Sequence, residues 1–62
     1  MREWLKKLRE DQNMTQAQVA ERSGLCESAY CLVETGKRNP SVDSAKRIAS
    51  ALGFEWTRFF EE

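Results

Sequence analysis

Thr15-Gln16-Ala17-Gln18-Val19-Ala20-Glu21-Arg22-Ser23-Gly24-Leu25-Cys26-Glu27-Ser28-Ala29-Tyr30-Cys31-Leu32-Val33-Glu34 is the stretch that decides the fold. Thr15 followed three residues later by Gln18 has capping-box spacing, in which two side chains satisfy orphan amides at a helix start. A helix over about Gln16 to Ser23 follows. Gly24 supplies the left-handed residue that ends a helix at little cost, and Leu25 leads at once into a second helix over about Cys26 to Glu34. In helical projection Ala29, Val33, Cys26 and Tyr30 share one side, and Glu27, Cys31, Ser28 and Leu32 share the other. The first set is expected in the core and the second outside.

Upstream, Trp4, Leu5 and Leu8 cluster on one side of a segment from Arg2 to Asp11, while Glu3, Lys6 and Glu10 point away. Asn13 and Met14 fall in a turn. Downstream, Thr35 to Pro40 is a turn-rich connection ending at Ser41, a good N-cap. A fourth helix then places Val42, Ala45, Ile48, Ala49 and Leu52 on one face, with Asp43, Lys46, Arg47 and Ser50 opposite. Gly53 ends it, and the tail from Phe54 to Phe60 carries four of the chain's six aromatic residues, some of which must close the core. One proline, three spaced glycines and no sustained alternation leave no strand signal. The expected architecture is all-α, a compact bundle of five short helices forming a single domain over residues 1–62.

Size and composition bound what such a bundle can do. At 62 residues, a folded chain of this mass exposes about 4,100 Å² against about 10,400 Å² unfolded, which supports one marginal core. A multi-walled small-molecule pocket does not fit easily into that, so neither an enzyme nor a small-molecule substrate is expected. The composition, 40% hydrophobic and 32% charged, is that of a soluble domain. No apolar run spans a bilayer and no basic-then-apolar leader opens the chain, so the expected location is cytoplasmic, away from membranes. Cys26 and Cys31, five residues apart on one helix, sit about 7.5 Å apart along its axis, beyond disulfide reach. They read as free thiols and as small space-fillers.

Histidine is absent, which removes the usual general base, the usual metal ligand and every Ser/His or Cys/His pair. Two cysteines make a poor zinc site, the adjacent acids Glu10-Asp11 and Glu61-Glu62 diverge on a helix or lie at a terminus, and no phosphate loop is present. No catalytic residue, metal or cofactor is expected. Ten basic residues balance ten acidic ones, but locally Lys37, Arg38, Lys46 and Arg47 face Asp43 alone between residues 35 and 50. An anion-binding surface is therefore expected to be local.

Two helices joined by a tight turn, the second with a free outer face, are laid out as a helix-turn-helix. Leu8-Arg9, Met14-Thr15-Gln16, Val19-Ala20, Val33-Glu34-Thr35-Gly36-Lys37-Arg38-Asn39-Pro40-Ser41, Ile48-Ala49 and Ala51-Leu52-Gly53 together resemble the lambda-repressor/Cro-type helix-turn-helix domains of phage repressors and bacterial regulators. The resemblance covers Leu5 to Phe60. It implies a transcriptional regulator, a repressor occupying an operator in double-stranded DNA as a homodimer, with helix three in the major groove. It also implies that Cys26, Glu27, Ser28 and Leu32 read bases, with Cys31 beside them, and that Gln16, Thr35, Lys37 and Arg38 contact phosphates. Glu27, Cys31 and Leu32 depart from the residues common in the family. A carboxylate there suits a cytosine amino group, and Leu32 a thymine methyl.

Arg9 sits beside Leu5 in projection and Glu34 beside Tyr30. The family often pairs these positions, so an ion pair between helices one and three is expected. A weak homodimer through Trp56, Phe59 and Phe60 is expected too, although these aromatics also serve to close the core. Two other readings stay open: a protein-interaction module docking through Cys31 and Leu32, and an antitoxin or controller-type regulator acting on its own promoter.

Overall fold

A computed structural model describes residues 1–61. Four α-helices, α1 (Glu3–Asp11), α2 (Gln16–Ser23), α3 (Glu27–Glu34) and α4 (Val42–Leu52), are followed by a 3-10 helix, Trp56–Phe60. The expected fifth helix is thus this tighter turn. No strand occurs among the described residues.

Local chemistry places most boundaries. The Gln18 amide donates to Thr15 Oγ1 at 3.1 Å, and the Thr15 amide donates to Gln18 Oε1 at 2.8 Å, completing the capping box. Gly24 turns left-handed at φ 71°, and the Leu25 amide reaches back to the Ala20 carbonyl at 2.9 Å. A Cβ at Gly24 would also lie 2.9 Å from the Arg47 guanidinium, but that is the end of a flexible, half-exposed side chain that can move aside, so glycine is needed here for its conformation. Ser41 caps α4 by accepting from the Ser44 amide.

The core takes Leu5 from α1, Val19 and Ala20 from α2, Tyr30 and Val33 from α3, and Ala45, Ile48 and Leu52 from α4. Met14 and Phe59 join it from outside the α-helices. Trp4, Phe54 and Phe59 pack edge-to-face around one another, with centroids 5.2–5.6 Å apart, and seal the end where the termini meet.

Several expectations are corrected. Cys26 is exposed, not in the core. It is the extended N-cap of α3, so a helical projection does not apply to it, and α3 begins at Glu27. Val42, the first residue of α4, remains 50% exposed. Leu8 is only half-buried. At about 100° per residue Arg9 lies about 40° from Leu5 and Leu8 about 60° to the other side, and the inward stripe of α1 follows Leu5 to Arg9. Arg2 is not helical but buried.

The Ser23 hydroxyl is buried with no hydrogen-bond partner among the described residues. Leaving such a group unpaired costs free energy, and alanine is also the better helix former. Ser23→Ala is expected to raise stability by about 1 kcal/mol in a urea titration. A drop in the midpoint would contradict this.

Candidate nucleic-acid interface

Helix α3 is short, and its placement depends on one buried carboxylate. Glu34 is 1% exposed and accepts hydrogen bonds from three elements. Arg9 Nε donates at 2.7 Å and its Nη2 at 3.3 Å from α1, Gln16 Nε2 at 2.6 Å from α2, and the Tyr30 hydroxyl at 3.1 Å from α3 itself. Arg9 Nη1 also donates to the Met14 carbonyl at 2.8 Å, which ties down the turn before α2. Burial pushes the Glu34 carboxyl up. The hydrogen bonds from Arg9, Gln16 and Tyr30, with the charge of Arg9, outweigh that and hold it below the ordinary glutamate value. The bond to Glu34 in turn raises the pKa of Arg9. Burial, then the charge of Glu34, pushes the Tyr30 hydroxyl up, so it remains a donor.

The last carbonyls of α3, which have no partner inside the helix, are all taken. Cys31 O accepts from the Thr35 amide and hydroxyl, and Leu32 O from the Lys37 and Arg38 amides at 3.0 and 3.1 Å. Val33 O accepts from Arg2 Nη1 at 2.6 Å, and Glu34 O from the Arg2 amide at 2.8 Å. The turn carrying Lys37 and Arg38 is therefore fastened to the end of α3.

On the outer side of α3, Glu27 and Ser28 are exposed and Cys31 and Leu32 half-buried. Cys26 precedes them at the helix start, its Sγ 3.5 Å from Ser28 Oγ. That hydroxyl, then the Ala29 amide, holds the thiol below its ordinary range. The shift comes from hydrogen bonds and not from a cation, and Cys26 is no space-filler. Lys37 and Arg38 are exposed at the other end.

Two further placements differ from simple expectation. Gln16 is half-buried with its amide on Glu34. The Thr35 hydroxyl donates to the Cys31 and Leu32 carbonyls, so its proton is committed to capping α3. Among the aromatic residues, Phe59 is 4% exposed and belongs to the core, whereas Phe60 is 53% exposed and meets half-buried Trp56 edge-to-face at 5.9 Å. Lys46 Nζ lies 5.1 Å from the Trp56 ring. Sequence reasoning missed Arg2, Met14 and the Gln16–Glu34 link. None of the three carried a local signal: Arg2 precedes α1, so helical periodicity does not reach it, and the other two depend on partners from separate elements.

The described residues contain no cluster of three metal-ligating side chains, and no helix among them is long and apolar enough to cross a membrane. An open groove of about 520 Å³ at the α2 end is lined by Gln12, Asn13, Met14, Gln18, Glu21 and Arg22, mostly polar.

Comparisons with known proteins agree with this arrangement. The helix-turn-helix family model matches residues 5–59. The chain is similar to the uncharacterized HTH-type transcriptional regulator YqaF of Bacillus subtilis, with 45% identity over 62 residues covering 100% of this chain and 82% of that protein. It is similar to the HTH-type transcriptional regulator PuuR of Escherichia coli at 31% identity over 94% of this chain, but spans only 31% of PuuR. It is 33% identical to the immunity repressor protein of Bacillus phage phi105 over 82% of this chain and 35% of that protein. No solved structure matches significantly. The chain belongs to the lambda-repressor/Cro-like helix-turn-helix family of DNA-binding transcriptional regulators.

Proposed function

We propose that the chain is a sequence-specific repressor that occupies an operator as a two-fold homodimer, with α3 in the major groove. The observation that carries this is the union of the outer face of α3 with the Lys37–Arg38 turn. Glu27, Ser28, Lys37 and Arg38 are exposed with Cys31 and Leu32 half-buried between them, and the face and the turn are fixed to one another through the carbonyls of α3. Phosphate contacts position such a module and base contacts specify its site. Lys37 and Arg38 supply the first kind. Gln16 adds the second hydrogen of its amide nitrogen, the first being on Glu34. Cys26, Glu27, Ser28, Cys31 and Leu32 offer the second kind, and Thr35 acts through its cap on α3. The name of the phage relative supports repression, and the reading places the protein in the cytoplasm with no cofactor.

Phe59 being in the core, the dimer surface narrows to Trp56 and Phe60. Two recognition helices about 34 Å apart read two half-sites where a monomer reads one. The test is selection of bound sequences from random duplex DNA, followed by sedimentation with the selected site. A consensus with two-fold symmetry, two chains per site, and loss of the second chain in Phe60→Glu are expected. An unenriched pool would defeat the DNA reading. If it came with capture of a protein partner that Leu32→Ala abolishes, α3 would be a protein-docking surface.

A further inference from the structure

Arg2 lies outside every contact expected of a DNA-reading surface, yet it is buried at the end of α3. Its amide donates to Glu34 O at 2.8 Å. Its guanidinium reaches Val33 O at 2.6 Å, Arg38 O at 3.1 Å and the Asn39 side-chain oxygen at 2.7 Å. The same group lies 5.6 Å from the Phe59 ring. One side chain thus spans the last turn of α3, the backbone of the Lys37–Arg38 turn and the C-terminal aromatic cluster. A planar fork of five donors serves several fixed acceptors at once, which a lysine ammonium on a flexible stem does not. A cation at this end also complements the helix dipole.

We propose that Arg2 is a positioning residue for DNA binding: it sets the Lys37–Arg38 turn relative to α3, so that phosphate-contacting and base-reading groups engage DNA in one register. The proposal rests on the DNA reading above. Without Arg2 the turn keeps its two amide bonds to Leu32 O but loses its hold on the backbone at Arg38 and on Asn39. Lys37 and Arg38 then spend part of their time away from the phosphates, and ordering them is left to the binding step, which weakens binding.

The test uses Arg2→Lys, which keeps the charge, and Asn39→Ala, which removes one acceptor at an exposed position without burying a lone cation. Ile48→Val, a mild core truncation in α4, serves as a control for lost stability. Each full-length variant is titrated with a random duplex pool at several salt concentrations, at a temperature where circular dichroism shows it folded. Exchange of the Lys37 and Arg38 amides is followed in the free protein. Arg2→Lys is expected to lose about tenfold in affinity, with a shallower salt slope and faster exchange at both amides. Asn39→Ala should show the same changes to a smaller degree, and Ile48→Val none of them. Parent-like affinity and salt slope in both Arg2→Lys and Asn39→Ala would overturn the positioning role while leaving the DNA reading intact. If Arg2→Lys does not fold, Asn39→Ala alone decides between these outcomes. A parent that fails to bind the pool would overturn the DNA reading, and the proposal with it.

Discussion

Glu34→Ala is expected to leave the chain largely unfolded at 37 °C. Removing one partner of a buried, hydrogen-bonded ion pair costs about 3–5 kcal/mol, and a core of this size supplies total stability of about the same amount. The loss is large because Arg9, Gln16 and Tyr30 all direct hydrogens at this carboxylate. Arg9→Ala strands the charge in the opposite sense and should be nearly as harmful. Urea midpoints of the two variants measure the effect, and a parent-like midpoint for either would show that the network contributes little.

The same group makes stability depend on pH. Its folded pKa is depressed, so its contribution is fully present above the unfolded value of about 4.3. That contribution is lost as pH falls below that value and on through the lower folded one. The urea midpoint should therefore fall on acidification over that range, and Glu34→Gln, which cannot titrate, should flatten the dependence.

The second large effect is on DNA. Lys37→Ala and Arg38→Ala together should weaken binding to every sequence alike and reduce the salt slope by about two, since each lost phosphate contact removes about 0.9 from it. Glu27→Gln should do the reverse. It removes a negative charge close to the phosphates and so strengthens non-specific binding. It also moves the preferred base from cytosine towards adenine, by about 1–3 kcal/mol at one position. Operator preference and salt slope measured side by side separate the two groups. If the Lys37/Arg38 pair changed base preference while Glu27→Gln left it untouched, the assigned roles would be reversed.

Much of the fold is legible in the sequence. The capping box at Thr15, the left-handed Gly24 and the Ser41 cap are short-range devices, each decided by a residue and its neighbours within three or four positions. The outward set on α3 followed from helical periodicity. Periodicity misplaced Cys26, because an N-cap residue is extended and stands outside the helix it starts. It could not rank Phe59 against Phe60, since adjacent aromatics at the chain's end are sorted by which one meets Trp4 and Phe54.

By itself, then, the sequence determined where α2 and α4 start and stop and which face of α3 points outward, because those depend on backbone capping and a period of 3.6 residues. Only the tertiary structure decided that Arg2 turns inward to hold Val33, Arg38 and Asn39. It also decided that Gln16 is shared with Glu34. Both are long polar side chains that a local pattern assigns to solvent. Arg2 is buried and Gln16 half-buried because chain segments 18 to 37 residues away offer acceptors that would otherwise be desolvated without a partner, and that cost exists only once the helices have packed.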